Sequence, residues 1–153
     1  MATWITVSEA YAAVISSDGK FLAYKRVENE KESLWVKQIQ TNSNVQIVQA
    51  GEFTNIGGLA FAPDGSFVYF NGAMQGVDKI EAGRVSTTVY KVPTLGGMPT
   101  KFLSNASGVA FSADGKQIAF NAYGSGGSIM IANADGSNER QLVLISGNLV
   151  LDS

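Results

Sequence analysis

The 153-residue sequence predicts an all-β fold built from three four-stranded antiparallel sheets. Two observations carry this. The phrase x-x-Asp-Gly, set between two apolar runs, occurs at Ser16-Ser17-Asp18-Gly19, Ala62-Pro63-Asp64-Gly65 and Ser112-Ala113-Asp114-Gly115, with the aspartates 46 and 50 residues apart. No stretch of useful length shows helical apolar spacing. Each period instead holds four short runs rich in Val, Ile, Phe and Tyr, separated by turn residues.

The first strand of each unit is a run of small and apolar residues: AYAAVI (10–15), IGGLAF (56–61) and ASGVAF (106–111). The Asp-Gly turn follows, because glycine accepts the positive φ that a tight hairpin needs. Asp18, Gly19, Asp64, Gly65, Asp114 and Gly115 are therefore assigned as structural turn residues. The second strand alternates: FLAYKRV (21–27), FVYFNG (67–72) and QIAFNA (117–122). The third is SLWVKQI (33–39), TTVYKVP (87–93) or SIMIANA (128–134), and the fourth is VQIVQ (45–49), TKFLS (100–104) or RQLVL (140–144). A period in the high forties with four antiparallel strands is the pattern of β-propeller blades. The blades then span about 10–49, 56–104 and 106–144 of a single domain covering 1–153. Small residues such as Ala12-Ala13, Gly57-Gly58 and Ser107-Gly108 suit innermost strands that crowd around an axis.

The run Ser112-Ala113-Asp114-Gly115-Lys116-Gln117-Ile118-Ala119-Phe120, followed by SIMIANADGSNERQL (128–142), resembles the TolB-like, WD-repeat-like propeller repeat. SLWVKQIQTNSNVQIV (33–48) and VYKVPTLGGMPTKFL (89–103) resemble propellers at the C-terminal, non-kinase end of bacterial serine/threonine kinases. The resemblance covers nearly the whole chain and implies protein or peptide binding. Kinase activity is not carried over, since the Gly-rich nucleotide loop, His-Arg-Asp and Asp-Phe-Gly are all missing from the sequence.

Propellers have four to eight blades, so three leave two sheet faces open. TWITVS (3–8) falls in phase with a fourth strand, and GNLVLD (147–152) with a first strand. Both are expected to act as clasp elements. Two such halves close a six-bladed ring as a homodimer with identical junctions. The alternative is a fragment of a longer propeller.

Composition narrows the chemistry. Hydrophobic residues at 45% and charged residues at 16% describe a folded globular chain. Seventeen Gly against three Pro agree with many tight turns. A net charge of −2, with Lys and Arg dispersed, offers no basic field for nucleic acid. The chain has no His and no Cys, which removes Ser-His-Asp and Cys-His nucleophiles and His- or Cys-ligated zinc. No cofactor or metal is expected. The N-terminus lacks a positive n-region and carries Glu9 in its apolar part, unlike a signal peptide. The longest uncharged run, 117–134, is too rich in Gly, Ser and Asn to span a membrane. The expectation is a soluble protein, cytoplasmic as given and periplasmic if part of a larger exported one.

The second unit is longer than its siblings. Asp64 to Tyr90 spans 26 residues, against 17 for Asp18 to Trp35 and 16 for Asp114 to Met130. The excess lies in 72–86, and insertions in repeats map to loops on one face. Asp78, Lys79, Glu81 and Arg84 are candidate recognition residues; the plainer reading is a longer hairpin connection. Each Asp-Gly turn supplies a single carboxylate, and NADGSNE (133–139) lacks the spacing of a calcium loop. YGSGGS (123–128) precedes a strand, so no helix N-terminus is there to hold a phosphate. Glu28, Glu30 and Glu32 read as a solvated hairpin tip, and Trp4, Tyr11, Trp35, Tyr69 and Tyr90 as packing residues. The function expected is a non-enzymatic scaffold for an unidentified protein, peptide or small ligand. The rival is the propeller part of a glycan- or peptide-active enzyme using carboxylates in a dimer-built channel.

Overall fold

The computed structural model describes residues 12–78, 80–81, 84–85, 87–123 and 127–144. The expected clasp strands 3–8 and 147–152, together with Trp4, Tyr11, Lys79 and the glycine run at 124–126, lie outside the described residues. Among the described residues every regular element is a strand. No helix there is long and apolar enough to cross a membrane.

Blade 1 is a meander of β1 (Ala13–Ile15), β2 (Phe21–Glu28), β3 (Lys31–Gln38) and β4 (Ser43–Val48). Blade 2 opens with β5 (Phe53–Phe61) and β6 (Phe67–Met74). It continues through a two-stranded ribbon, β7 (Ile80–Glu81) and β8 (Arg84–Val85), and closes with β9 (Thr88–Pro93) and β10 (Thr100–Leu103). Blade 3 is β11 (Ala106–Phe111), β12 (Gln117–Ala122), β13 (Ser128–Asn133) and β14 (Arg140–Leu144). All neighbours pair antiparallel. β5 starts ahead of the expected residue 56 because Phe53 and Thr54 pair with Met74 and Ala73.

The blades stack through two apolar seams. Between blades 1 and 2, Leu34, Val36, Ile47 and Val48 meet Phe53, Val68, Phe70 and Tyr90. Phe53 stands edge-on to Phe70 and Tyr90, with ring centroids 5.1 and 4.8 Å apart. Between blades 2 and 3, Tyr69 meets Phe102 and Phe111 edge-on at 5.0 and 5.1 Å, beside Val109, Ile118 and Phe120. Each large side chain so buried contributes roughly 1.5–3 kcal/mol.

The small residues of the inner strands have a local cause beyond axial crowding. Gly58 and Gly108 sit at register breaks with φ of 55° and 68°. A Cβ on Gly58 would lie 1.9 Å from Asn71 Oδ1, and one on Gly108 3.1 Å from Asn121 Nδ2. Left-handed backbone and a facing amide both demand glycine.

The Asp-Gly turns share one geometry. Gly19, Gly65 and Gly115 have φ of 72°, 76° and 71°. Their N–H groups donate to Ser16, Ala62 and Ser112 carbonyls at 2.9, 2.8 and 2.9 Å. Asp18 Oδ1 accepts from Ser16 Oγ and Lys20 N, Asp64 Oδ1 from Ser66 Oγ and N, and Asp114 Oδ1 from Lys116 N and Ser112 Oγ. Those hydrogen bonds hold all three exposed carboxyls below the ordinary aspartate value. The turns abut: Ser17 Oγ donates to the Pro63 carbonyl at 3.0 Å, and a Cβ on Gly115 would meet Pro63 Cγ at 3.1 Å.

Candidate functional site

Strand direction alternates along each meander, so connections sort to two ends of the sheets. The Asp-Gly turns share one end, here the turn face. The β2–β3 hairpin, the β4–β5 link and the β6–β9 insertion share the other. On this second face a cleft of about 580 Å³ opens between blades 1 and 2. Glu30 and Lys31 of the hairpin form one wall, Thr54 and Asn55 of β5 the other, and Gln75, at the start of the blade 2 insertion, closes one end.

Lys25 and Glu32 also line the cleft. Cross-strand pairs Tyr24–Trp35, Phe70–Tyr90 and Phe120–Met130 put Lys25, Asn71 and Asn121 at equivalent places, one residue further along the second strand. Where the other blades set an Asn against a glycine, blade 1 sends a lysine across its hairpin. Lys25 Nζ meets Glu32 Oε1 at 2.9 Å, with the side chains only 11% and 18% exposed. Glu32 Oε2 accepts from Ile56 N of blade 2 at 3.1 Å. Glu32 is thus not part of a solvated tip. It bridges two blades, because burial between them requires both its oxygens to find donors. Glu28 pairs with Arg26, and Glu30 occupies the hairpin turn with φ of 62° on the cleft rim.

The four candidate loop residues separate. Asp78 turns inward, with its side chain 5% exposed. Its Oδ2 accepts from Met74 N at 2.7 Å and Tyr90 Oη at 2.6 Å, and its Oδ1 lies 3.3 Å from Lys101 Nζ. Burial pushes the carboxyl upward, but the bonds from Tyr90, Met74 and Lys101 outweigh it and hold the group below its ordinary value. Burial first, and then the bond to Asp78, raise the Tyr90 phenol well above its ordinary value. Asp78 anchors the insertion to blade 2. Beyond it, Glu81 pairs with Arg84 and Ile80 with Val85 in the β7–β8 ribbon, while Lys79 lies outside the described residues.

Among the described residues no group of three acidic, His or Cys side chains could hold a metal ion. The turn aspartates lie on the opposite face. What the cleft offers is one cation and one anion on its rim, side-chain amides from Asn55 and Gln75, and a floor tied down by the Lys25–Glu32 bridge. Sequence reading missed that bridge. Its signal was a lysine where the other two repeats carry asparagine.

No protein-family model matches the chain, and no curated protein matches it. Solved structures do. A structure assigned as TolB from Agrobacterium tumefaciens is 16% identical, with a TM-score of 0.67 over 90% of this chain and 51% of its own. TolB from Acinetobacter baumannii is 20% identical, with a TM-score of 0.65 over 86% and 32%. The β-propeller domain of the trilobed protease from Pyrococcus furiosus is 17% identical, with a TM-score of 0.55 over 88% and 43%. The likeness establishes the propeller fold. The chain spans about half or less of each of these proteins.

Proposed function

We propose that this chain is a non-enzymatic binding scaffold whose cleft face holds a short peptide or similarly polar ligand. The observation that carries the reading is the 580 Å³ cleft across the blade 1–blade 2 seam, closed at one end by the inserted segment of blade 2. Clefts with a few convergent polar groups are the usual place for a ligand. Lys31 and Glu30 offer charge of both signs, and Asn55 and Gln75 offer amide donors and acceptors, which suit a peptide backbone and its side chains. The buried carboxylates near the cleft are already engaged: Glu32 with Lys25 and Ile56, Asp78 with Tyr90 and Met74. The chain has no His or Cys to supply a base or nucleophile. The narrower kinship with propellers of bacterial kinases stays part of this proposal, resting on 33–48 and 89–103 alone.

The test is a random-peptide array probed with the wild-type chain and two variants. One carries Lys31→Glu with Gln75→Ala. The other replaces 80–85 by a short turn and keeps Asp78, whose removal would strip Tyr90 and Met74 of an acceptor. Wild type should select a subset of peptides, and the rim variant should weaken that binding at least tenfold, about 1.4 kcal/mol or more. Binding that ignores both variants sinks the reading. So does turnover of peptide or glycan esters that disappears in Glu32→Gln.

A further inference from the structure

The fourth strand of every blade breaks register at one place. The break falls between Leu34 and Trp35 against β4, between Lys101 and Leu103 in β10, and between Ile129 and Met130 against β14. The bulged residues are Ile47, Phe102 and Leu142, followed by Val48, Leu103 and Val143. In blades 1 and 2 these apolar pairs pack into the seam with the next blade. In blade 3, Leu142 and Val143 are 53% and 48% exposed.

The equivalence extends across the sheet. Cross-strand pairing matches Ala23, Leu34 and Val36 of blade 1 with Ala119, Ile129 and Ile131 of blade 3. Together with the bulged pairs, this makes five apolar positions out of five. In blade 1 all five are 4% exposed or less and lie against Phe53, Phe70 and Tyr90. Blade 3 repeats that surface, small alanine included, with no described sheet against it.

The opposite end of the chain carries the complementary surface. Ile15 of β1 stands where Phe61 and Phe111 stand, since it pairs with Leu22 as they pair with Val68 and Ile118. Phe61 is buried and Phe111 partly buried in the seams, whereas Ile15 is 57% exposed. The aromatic pair Tyr24–Trp35 occupies the place of Phe70–Tyr90, the pair that faces Ala23 across the first seam, with Tyr24 5% exposed and Trp35 partly buried. Lys37 replaces Val92 there; its stem can line a seam while its ammonium reaches water. An aliphatic face with one small alanine at one end thus matches, position for position, the partners of an aromatic pair at the other.

We propose that the apolar face of blade 3 seats the Ile15-bearing face of blade 1 from a second copy of this chain, so that two chains close one ring through two identical seams. Head-to-tail contacts form closed rings when the rotation fits, and three blades are half of a six-bladed ring.

Light scattering on the purified full chain tests this. Two chains per particle are expected, and a folded single-chain particle overturns the proposal. Leu142→Lys with Val143→Lys, and separately Ile15→Glu, should each give single chains with intact strand circular dichroism. Should the lysine variant lose its fold, Leu142→Ser with Val143→Ser replaces it, and a fall of at least tenfold in self-association is expected. Mixing a blade 3 variant with Ile15→Glu should restore two-chain particles, because one seam stays native. A wild-type dimer that no such mixture restores overturns head-to-tail pairing, as does one indifferent to both substitutions.

Discussion

The two faces of the molecule obey different rules. On the turn face, Asp18, Asp64 and Asp114 make the same turn, each accepting from the backbone N–H two residues on and from one serine hydroxyl, all in water. On the cleft face blades 1 and 2 are closed differently. Blade 1 uses the buried Lys25–Glu32 bridge, and blade 2 uses Asp78 under an insertion. Repetition persists where backbone geometry alone sets the residue. Divergence falls where side chains meet across seams, and that is where a binding surface can arise. Carboxylates are in both places, but Glu32 and Asp78 of the cleft face are buried where the turn aspartates are exposed, so equal substitutions should have unequal effects.

The largest expected effect is Asp78→Ala. It leaves Tyr90 Oη and Met74 N without their acceptor, and should lower unfolding stability by about 3 kcal/mol in urea titrations. Asp78→Asn should lose less, since an amide oxygen can still accept. Equal effects from Asp78→Ala and Asp64→Ala would break the comparison. Glu32→Gln should follow at roughly 1–2 kcal/mol, since it weakens the bridge to Lys25 while keeping an acceptor for Ile56 N. On the turn face, Gly65→Ala should cost about 1 kcal/mol through its φ of 76° alone, as open space surrounds its Cβ site. Asp64→Ala should be the mildest of the set, with a midpoint close to wild type, because its carboxylate is exposed.

Acid sharpens the same contrast. Asp78 is held below its ordinary value, so its contribution is complete above the unfolded value of about 3.9 and is lost as pH falls through the lower folded value. The turn aspartates share that sign. Stability measured from pH 5 downward should fall more steeply in wild type than in Asp78→Ala. Parallel curves would show that the anchor carries no charge-dependent stability.

Much of the fold was legible because its determinants are local. Gly19, Gly65 and Gly115 announce turns, and the Val-, Ile- and Phe-rich runs between them announce strands. The excess length between Asp64 and Tyr90 is visible in the sequence, and the ribbon β7–β8 lies within it. The cleft was not legible. Lys25 and Glu32 look like ordinary surface charges along the chain, and only the packing of blade 1 on Phe53 and Ile56 buries them together. Asp78 likewise reads as an exposed loop acid until β9 brings Tyr90 beneath it.

The four strands of each blade, their order and the Asp-Gly turns follow from the sequence alone, since each depends on residues within a few positions of one another. Which face of each strand meets which neighbour depends on the rotation between whole sheets, and only the tertiary structure decides it. That rotation places Glu32 against Ile56, and leaves Leu142 and Val143 in water with no described sheet beyond them.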